Sequence, residues 1–496
     1  MNSNIPSVVI DFAELNFASL FPMIIVILGA LSILCIDLFT KKSDKSLYVI
    51  LCVLFLLMAL GAVIGFSGPV RGMFDLMLID GISVLAQIII LISSSFFVLL
   101  YLNKMHFHET QYPEYFALYL FAVAGFMFMV SSDSLILIFV GLETSSMALY
   151  TMIAMHNRHN AIEAAIKYFT MGALATAFFA FASMLFYALT GSVELSIISE
   201  VLVESGFENY AFVIVGVIFM IGALGFKLSL VPFHAWVADV YQGSSAALAG
   251  FISIVPKVAG FVVALRFFEI FVAARDPYVE AILYVIVVLT MTIPNILALL
   301  QKDLARMLAY SSISSAGFVM SAILIGTTQA TQAMFLYWIL FLVVNLGVFT
   351  LLWAMRNKDY ENYESDYSYA RYAGLVRSSK YTAILMALFM LSLAGIPPLA
   401  IFWGKMYLIG SAINSGMIYL AVIMVLNSAI AVYYYLRPIV VMFLLEPKGE
   451  IPKALSNSSK ALRFVLGTCA IFTLISIFLI EPLLNIILFY VQSSGF

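Results

Sequence analysis

The sequence predicts an all-α polytopic membrane protein with about 14 transmembrane helices. Three observations predict it. The 496 residues are 64% apolar and 10% charged, whereas soluble domains run at roughly 45–50% and 25%. The apolar residues fall into long runs, each near the ~20 residues that cross a hydrocarbon layer as a helix. The basic residues collect in alternate connections between those runs. This composition excludes a soluble enzyme, a disordered tail and a disulfide scaffold.

The runs are, in order, 17–39, 46–66, 80–102, 113–131, 134–155, 161–190, 209–240, 244–273, 278–300, 303–325, 330–356, 380–412, 416–444 and 462–490. In hydrocarbon every backbone N–H and C=O needs an internal partner, so these runs must be helices. Proline removes a donor and clashes with the preceding turn. Pro232 and the Pro397-Pro398 pair therefore predict broken helices in the seventh and twelfth spans.

With the N-terminus outside, the inside connections and span ends hold Lys41, Lys42, Lys45, Lys104, Arg158, Lys302, Arg306, Arg356, Lys358, Arg371, Arg377, Lys380, Arg437, Lys448, Lys453, Lys460 and Arg463. The outside connections hold only Arg71 and Arg275. The positive-inside rule then places both termini outside. Residues 1–16 carry Asp11 and Glu14 and no basic group, so the first span is expected to remain as an anchor rather than a cleaved leader. The outside connection 191–208 is acidic and is expected to be a loop. The inside segment 357–380 reads as a solvated connector, a docking site being the competing reading.

An internal repeat is visible. Ser132-Asp133-Ser134-Leu135 resembles Lys302-Asp303-Leu304, and Ala161 to Tyr168 resembles Ala330 to Tyr337. Val231-Pro232 resembles Ile396-Pro397, and Leu265-Arg266 resembles Leu436-Arg437. Each copy holds five spans, an odd number, so the second copy must be inverted in the membrane. Inverted repeats with matching broken helices mark transporters. The expected organisation is an N-terminal three-helix segment (1–112), a first five-helix repeat (113–273), a second inverted repeat (278–444) and a C-terminal helix (445–496).

Charges inside a bilayer cost at least several kcal/mol and are kept for a reason. Of the 24 basic residues, only Lys167, Lys227, Lys257, Lys405 and Arg266 fall within spans without serving as inside anchors. A lysine can release its proton when desolvated and an arginine in practice cannot, so a row of lysines suits proton transfer. Glu143, central in the fifth span, has no local partner and needs one from another helix. It reads as a carboxylate paired with a lysine, the alternative being a structural ion pair. Glu163 and Lys167 are spaced to pair along one helix face, where a helix-end salt bridge is the competing reading. Lys227 precedes the Pro232 break by five residues, and a break at membrane depth is tolerated beside protein or a water-filled cavity. His234, just past the break, is either a relay group or a satisfied core histidine. Lys257 and Lys405 are deep and lack a local carboxylate. If Glu143, Lys227, Lys257 and Lys405 meet near the midplane, they form a polar line across the bundle that can pass protons. Tyr433, Tyr434 and Tyr435 are able to hydrogen-bond into such a chain but, as a run on one helix, read chiefly as packing or interface residues. Cys35, Cys52 and Cys469 stand alone, and His106 and His108 have no accompanying acidic or cysteine cluster, so no metal or haem site is expected.

The stretches GFKLSLVPFHAW, DVYQG, PKVAGF, LARMLAYSSISSAGF, LSLAGIPPLAIFWGK and AAIKYFTMGALATAF resemble the antiporter-like membrane subunits of respiratory complex I, the bacterial NADH-quinone oxidoreductase. The resemblance covers about residues 80–445. It implies that Glu143, Lys227, Lys257 and Lys405 carry protons and that Lys167 corresponds to the family's sixth-span lysine. It implies a proton-translocating membrane-arm subunit in a bacterial inner membrane, with other membrane-arm subunits and the lipid bilayer as partners and no nucleic acid. It implies no cofactor in this chain, with quinone used elsewhere in the complex and flavin and iron–sulfur clusters in other subunits. Some relatives are longer and others carry a carboxylate where Lys405 stands; this chain shares neither feature. Ser315 stands where many relatives have histidine, leaving no titratable group there, and Ile401 replaces a glycine. The competing classes are a subunit of a cation/proton antiporter, a membrane-bound hydrogenase subunit and a purely structural subunit.

Overall fold

The computed structural model describes residues 15–39, 44–66, 68–103, 108–356, 367–447 and 458–494. Asp11, Glu14, Lys41, Lys42, Lys104, His106, Lys358, Lys448 and Lys453, and residues 357–366 of the expected connector, lie outside the described residues.

The chain is helical almost throughout. Its helices are α1 (Phe21–Phe39), α2 (Lys45–Ile64), α3 (Gly81–Leu99), α4 (Pro113–Val130), α5 (Leu135–Ala154), α6 (His159–Thr190), α7 (Leu195–Glu204), α8 (Tyr210–Leu228) and α9 (Trp236–Gly243). They continue as α10 (Ala246–Ala273), α11 (Pro277–Leu300), α12 (Leu304–Ile325), α13 (Thr328–Ala354), α14 (Leu375–Ser378), α15 (Lys380–Ala394), α16 (Ala400–Asn414), α17 (Ile418–Leu444) and α18 (Lys460–Gln492). Among the described residues, 13 helices are long and apolar enough to cross a membrane. The run expected at 380–412 is divided between α15 and α16, and the run at 209–240 between α8 and α9. Both divisions fall at the prolines that predicted them.

Two elements were not expected. A short hairpin, β1 (Val70–Gly72) against β2 (Met77–Ile79), pairs Arg71 with Leu78. The acidic connection 191–208 is not a plain loop, because it contains α7. Leu195, Ile198 and Leu202 recur at helical spacing and are buried, while Glu200 and Glu204 face outward.

Local chemistry sets the helix ends. Asp80, Asp276 and Asp303 accept backbone N–H bonds at the starts of α3, α11 and α12. Leu135 N–H donates to Val193 O, forming a bridge at Ser134 and Glu194 beside α5. Leu304 N–H donates to Tyr367 O, forming the same kind of bridge at Asp303 and Ser368 beside α12. α10 is the axis of the bundle: every residue from Ala246 to Phe268 is buried. α12 and α13 flank it, with nearly all of their residues buried. The outer helices turn apolar side chains outward, as with Ile50 and Leu54 of α2 and Phe478 of α18. α4 and α5 cross where Gly125 and Gly141 face each other; a Cβ on Gly141 would stand 2.6 Å from Gly125 O. Only glycine permits that approach, and it fixes the height of Glu143, two residues on.

A charge cluster pins the basic end of the bundle. Arg356, just past α13, pairs with Glu109 at 2.8 Å, and His156, just past α5, lies 3.1 Å from Glu109. All three are buried. Burial alone would raise the Glu109 carboxyl, but His156 and Arg356 hold it well below the usual carboxylate range. Burial lowers His156, whose Nδ1 lies between the Glu109 carboxylate and Arg356 Nη2, 3.3 Å from the latter.

Glu109→Ala removes the carboxylate that faces buried Arg356 and should lower stability by about 3–5 kcal/mol, read by denaturation of the purified protein. Unfolding frees His156 to take up a proton below its ordinary value of 6.5. It frees Glu109 to take one up below 4.5. The contribution of both groups is therefore complete at neutral pH and is lost as pH falls, first through His156 and then through Glu109. The parent protein's melting temperature should fall on acidification from about pH 6.5 in both steps, and Glu109→Ala should remove the lower one.

Candidate functional site

Lys227 occupies the last turn of α8, where Pro232 prevents the helix from continuing. The freed backbone groups find partners inside the bundle. Leu230 N–H donates to Gly225 O at 2.7 Å. Val231 N–H donates to Thr290 Oγ1 at 3.0 Å, and Trp236 Nε1–H donates to Phe226 O at 3.2 Å. The break is thereby fixed, and Lys227 is held 2% exposed. Its Nζ donates to Ser146 Oγ at 2.9 Å, lies 3.5 Å from Ser145 Oγ and sits 5.3 Å from the centre of the Phe126 ring. Glu143 is on the same helix as those serines, one turn or less away. Its Oε1 accepts from the Thr176 hydroxyl of α6. Glu143 and Lys227 form no direct ion pair; the serine hydroxyls stand next to the lysine instead.

Lys257 follows Pro256 in the middle of α10. It is 2% exposed, and its Nζ donates to Ser312 O at 2.7 Å and also to Ser312 Oγ on α12. Tyr241 OH of α9 lies 3.2 Å from Ser312 Oγ. The side chain of Lys227 lies close to this helix: a Cβ on Gly260, three residues past Lys257, would stand 3.7 Å from Lys227 Cγ.

α12 carries the contacts onward. Tyr435 OH bonds to Ser311, and Tyr337 OH donates to Ser315 Oγ at 3.0 Å. Lys405 Nζ lies 5.4 Å from the centre of the Phe318 ring and donates to Ala394 O at the end of α15, at 3.4 Å. Gly404, next to Lys405, packs against Tyr337, so closely that a Cβ would stand 2.9 Å from Cδ2. Ser311, Ser315 and Phe318 recur at helical spacing and share one face of α12 with Ser312. One stripe about 10 Å long thus joins the Lys257 contact to the Lys405 contact. Among the described residues, neither lysine has a carboxylate within ion-pair distance.

The other two expected residues sit apart from this line. Lys167 pairs with Glu163 at 2.7 Å, as its spacing predicts, and also with Asp239 at 2.7 Å. Asp239 in turn pairs with Arg306 at 2.7 Å. This network is partly exposed and lies at the basic end, because Lys167 is near the start of α6. His234 lies within the break, half-buried, and its Nδ1 is buried without a hydrogen-bond partner.

Sequence reasoning missed the neutral partners: Ser145, Ser146, Ser312, Tyr241 and Tyr337. The four hydroxyls of Ser311-Ser312-Ile313-Ser314-Ser315 on a fully buried helix were a readable signal. Tyr435 and Tyr434 are not packing residues alone. Tyr434 OH donates to Asn295 Oδ1 at 2.8 Å, and only Tyr433 faces outward. A hydroxyl both donates and accepts, so Lys227 and Lys257 each stand beside a group able to pass a proton, while Lys405 meets the Phe318 ring and the Ala394 carbonyl.

Residues 132–431 match the transmembrane family described as NADH:quinone oxidoreductase/Mrp antiporter. The NADH-quinone oxidoreductase subunit N of Sulfurimonas denitrificans is 54% identical, over 98% of this chain and 99% of that protein. A chain of respiratory complex I from Thermus thermophilus superposes with a TM-score of 0.79 at 28% identity, over 94% of this chain and 98% of that one. A chain of the Mrp complex from Dietzia sp. superposes with a TM-score of 0.82, over 97% of this chain and 98% of that one. At 18% identity, that likeness concerns the fold alone.

Gly395 ends α15 at φ 83°, and a Cβ there would stand 3.3 Å from Lys405 Cδ. Gly395→Ala should destabilise the protein by about 1–2 kcal/mol through the left-handed backbone alone, measured as a shift in thermal unfolding in detergent.

Proposed function

Because the chain belongs to the NADH:quinone oxidoreductase/Mrp antiporter transmembrane family, we propose that it is a proton-translocating membrane-arm subunit of an NADH-quinone oxidoreductase-type complex. Protons pass through Glu143, Lys227, Lys257 and Lys405, driven by quinone reduction in other subunits. The single observation that carries this reading is the face of α12 that bears Ser312, Ser315 and Phe318 and lies between two buried lysines that have no carboxylate at ion-pair distance among the described residues.

Each step is a proton transfer with no covalent change. A proton reaches Lys227 from the inside, through the wet break beside His234, with the Lys167–Asp239–Arg306 network at its entrance. Loss of the Lys227 proton toward Lys257 changes the charge that Glu143 faces across the serines. Lys257 releases its proton along Ser312 and Ser315 toward Lys405. The paired bridges at Ser134–Glu194 and Asp303–Ser368 support reading 113–273 and 278–444 as inverted copies. Both termini then lie on the outer side of a bacterial inner membrane, and neighbouring membrane-arm subunits cover part of the bundle's apolar face. Flavin, iron–sulfur clusters and the quinone site belong to other subunits of the complex.

Lys227→Ala, in membrane vesicles containing the whole complex, should lower proton pumping by an order of magnitude or more. Lys227→Arg should fail as well, because it keeps the charge but cannot release the proton. Normal pumping in Lys227→Ala would overturn the assignment. Ser312→Ala removes one hydroxyl and leaves the Ser312 carbonyl as a partner for Lys257. It should cost less, lowering pumping several-fold, read as protons moved per quinone reduced.

A further inference from the structure

At the end of the bundle opposite the basic cluster, a cavity of about 490 Å³ opens between the start of α3, the turn before α5, α7 and the end of α10. Three carboxylates line it: Asp80, Asp133 and Glu269. Two are matched. Asp80 pairs with Arg266 at 2.7 Å. Asp133 pairs with Arg71 at 3.3 Å and accepts from Ser196 Oγ at 2.7 Å. Glu269, one turn after Arg266 on α10 and half-buried, has no ion pair or hydrogen bond among the described residues. The remaining polar groups facing the cavity are the hydroxyls of Ser196 and Ser199 from α7 and Ser494 from the chain end.

Two further atoms show what the cavity accommodates. Arg266 has a side chain only 7% exposed. Its Nη2 is used by Asp80 and Ser83, but its Nε is buried without a partner. On the facing helix α3, one turn beyond Ser83, Gln87 Nε2 donates to Ser131 Oγ at 2.6 Å, while its Oε1 is buried and unpartnered. An orphaned donor on a residue that lines the cavity, and an orphaned acceptor on the facing helix, are groups that bound water satisfies.

We propose that this cavity is a hydrated proton-release site on the outer side and that Glu269 is its proton carrier. The inference rests on the translocation reading above. Glu269 lies twelve residues beyond Lys257 on the same helix, about 18 Å along the axis, so a proton that has passed Lys405 reaches Glu269 only through water. The Glu269 carboxylate takes up one proton from that water, becomes the neutral acid, and returns the proton to water in the cavity. The Asp80–Arg266 pair holds α3 and α10 at the spacing that keeps the chamber open.

The test uses cells or right-side-out vesicles containing the whole complex, given a pulse of oxidant, with proton release recorded at a series of outer pH values. Glu269→Gln should lower protons released per electron at least several-fold, with the amount of assembled complex unchanged on a native gel. Glu269→Asp should restore release but shift its dependence on outer pH, which a structural role would not do. If Glu269→Gln reduces assembly, the Glu269→Asp pH profile decides alone, and a profile matching the parent overturns the proposal. Normal release in Glu269→Gln overturns it too. Lys227→Ala is run alongside: defective Lys227→Ala with normal Glu269→Gln rejects this exit and leaves the relay, whereas normal Lys227→Ala rejects the relay itself.

Discussion

An ammonium group buried among apolar helices is costly unless hydrogen bonds or an opposite charge compensate it, and Lys227, Lys257 and Lys405 are buried within the bundle. Among the described residues, none of Lys227, Lys257 and Lys405 is met by a carboxylate at ion-pair distance. Each is met by hydroxyls, a backbone carbonyl or an aromatic face. A tight ion pair would hold a proton in place; a serine hydroxyl stabilises the charge less and can hand the proton on. The weakness of the compensation is therefore consistent with transfer.

Backbone interruptions create the places where such groups fit. The break after α8 sets Lys227 at a helix end, and its loose N–H groups are taken up by Gly225 and Thr290. The break between α15 and α16 exposes the carbonyl of Ala394, which Lys405 uses. The contact of Gly125 with Gly141 draws α4 and α5 together, and Lys227 meets a residue of each, Phe126 and Ser146. Between the two breaks, α10 and α12 form a rigid buried core along which contacts can run sideways through the protein.

Much of this was legible in the sequence because it follows from local rules. Spans follow from run length, the two breaks from Pro232 and Pro397, and the Glu163–Lys167 pair from a spacing of four. What was not legible depends on contacts between distant segments. Asp239 reaches Lys167 across 72 positions and Arg266 reaches Asp80 across 186, and no periodicity encodes such pairings. Glu143 was expected to meet a lysine directly, yet Thr176 takes its carboxylate. Helix α7 was overlooked because four glutamates in 191–208 obscured the apolar spacing of Leu195, Ile198 and Leu202.

The central claim is that Lys257 and Lys405 act in series along one stripe of α12. Residues that act as a unit show strongly non-additive losses when removed together. The most direct measurement is the number of protons moved per quinone reduced in Lys257→Met, in Lys405→Met and in the double variant, all in the assembled complex. A series path predicts that the double variant pumps no worse than the poorer single variant. Losses that multiply, with each single variant retaining a substantial independent share, would show two separate routes and contradict the account.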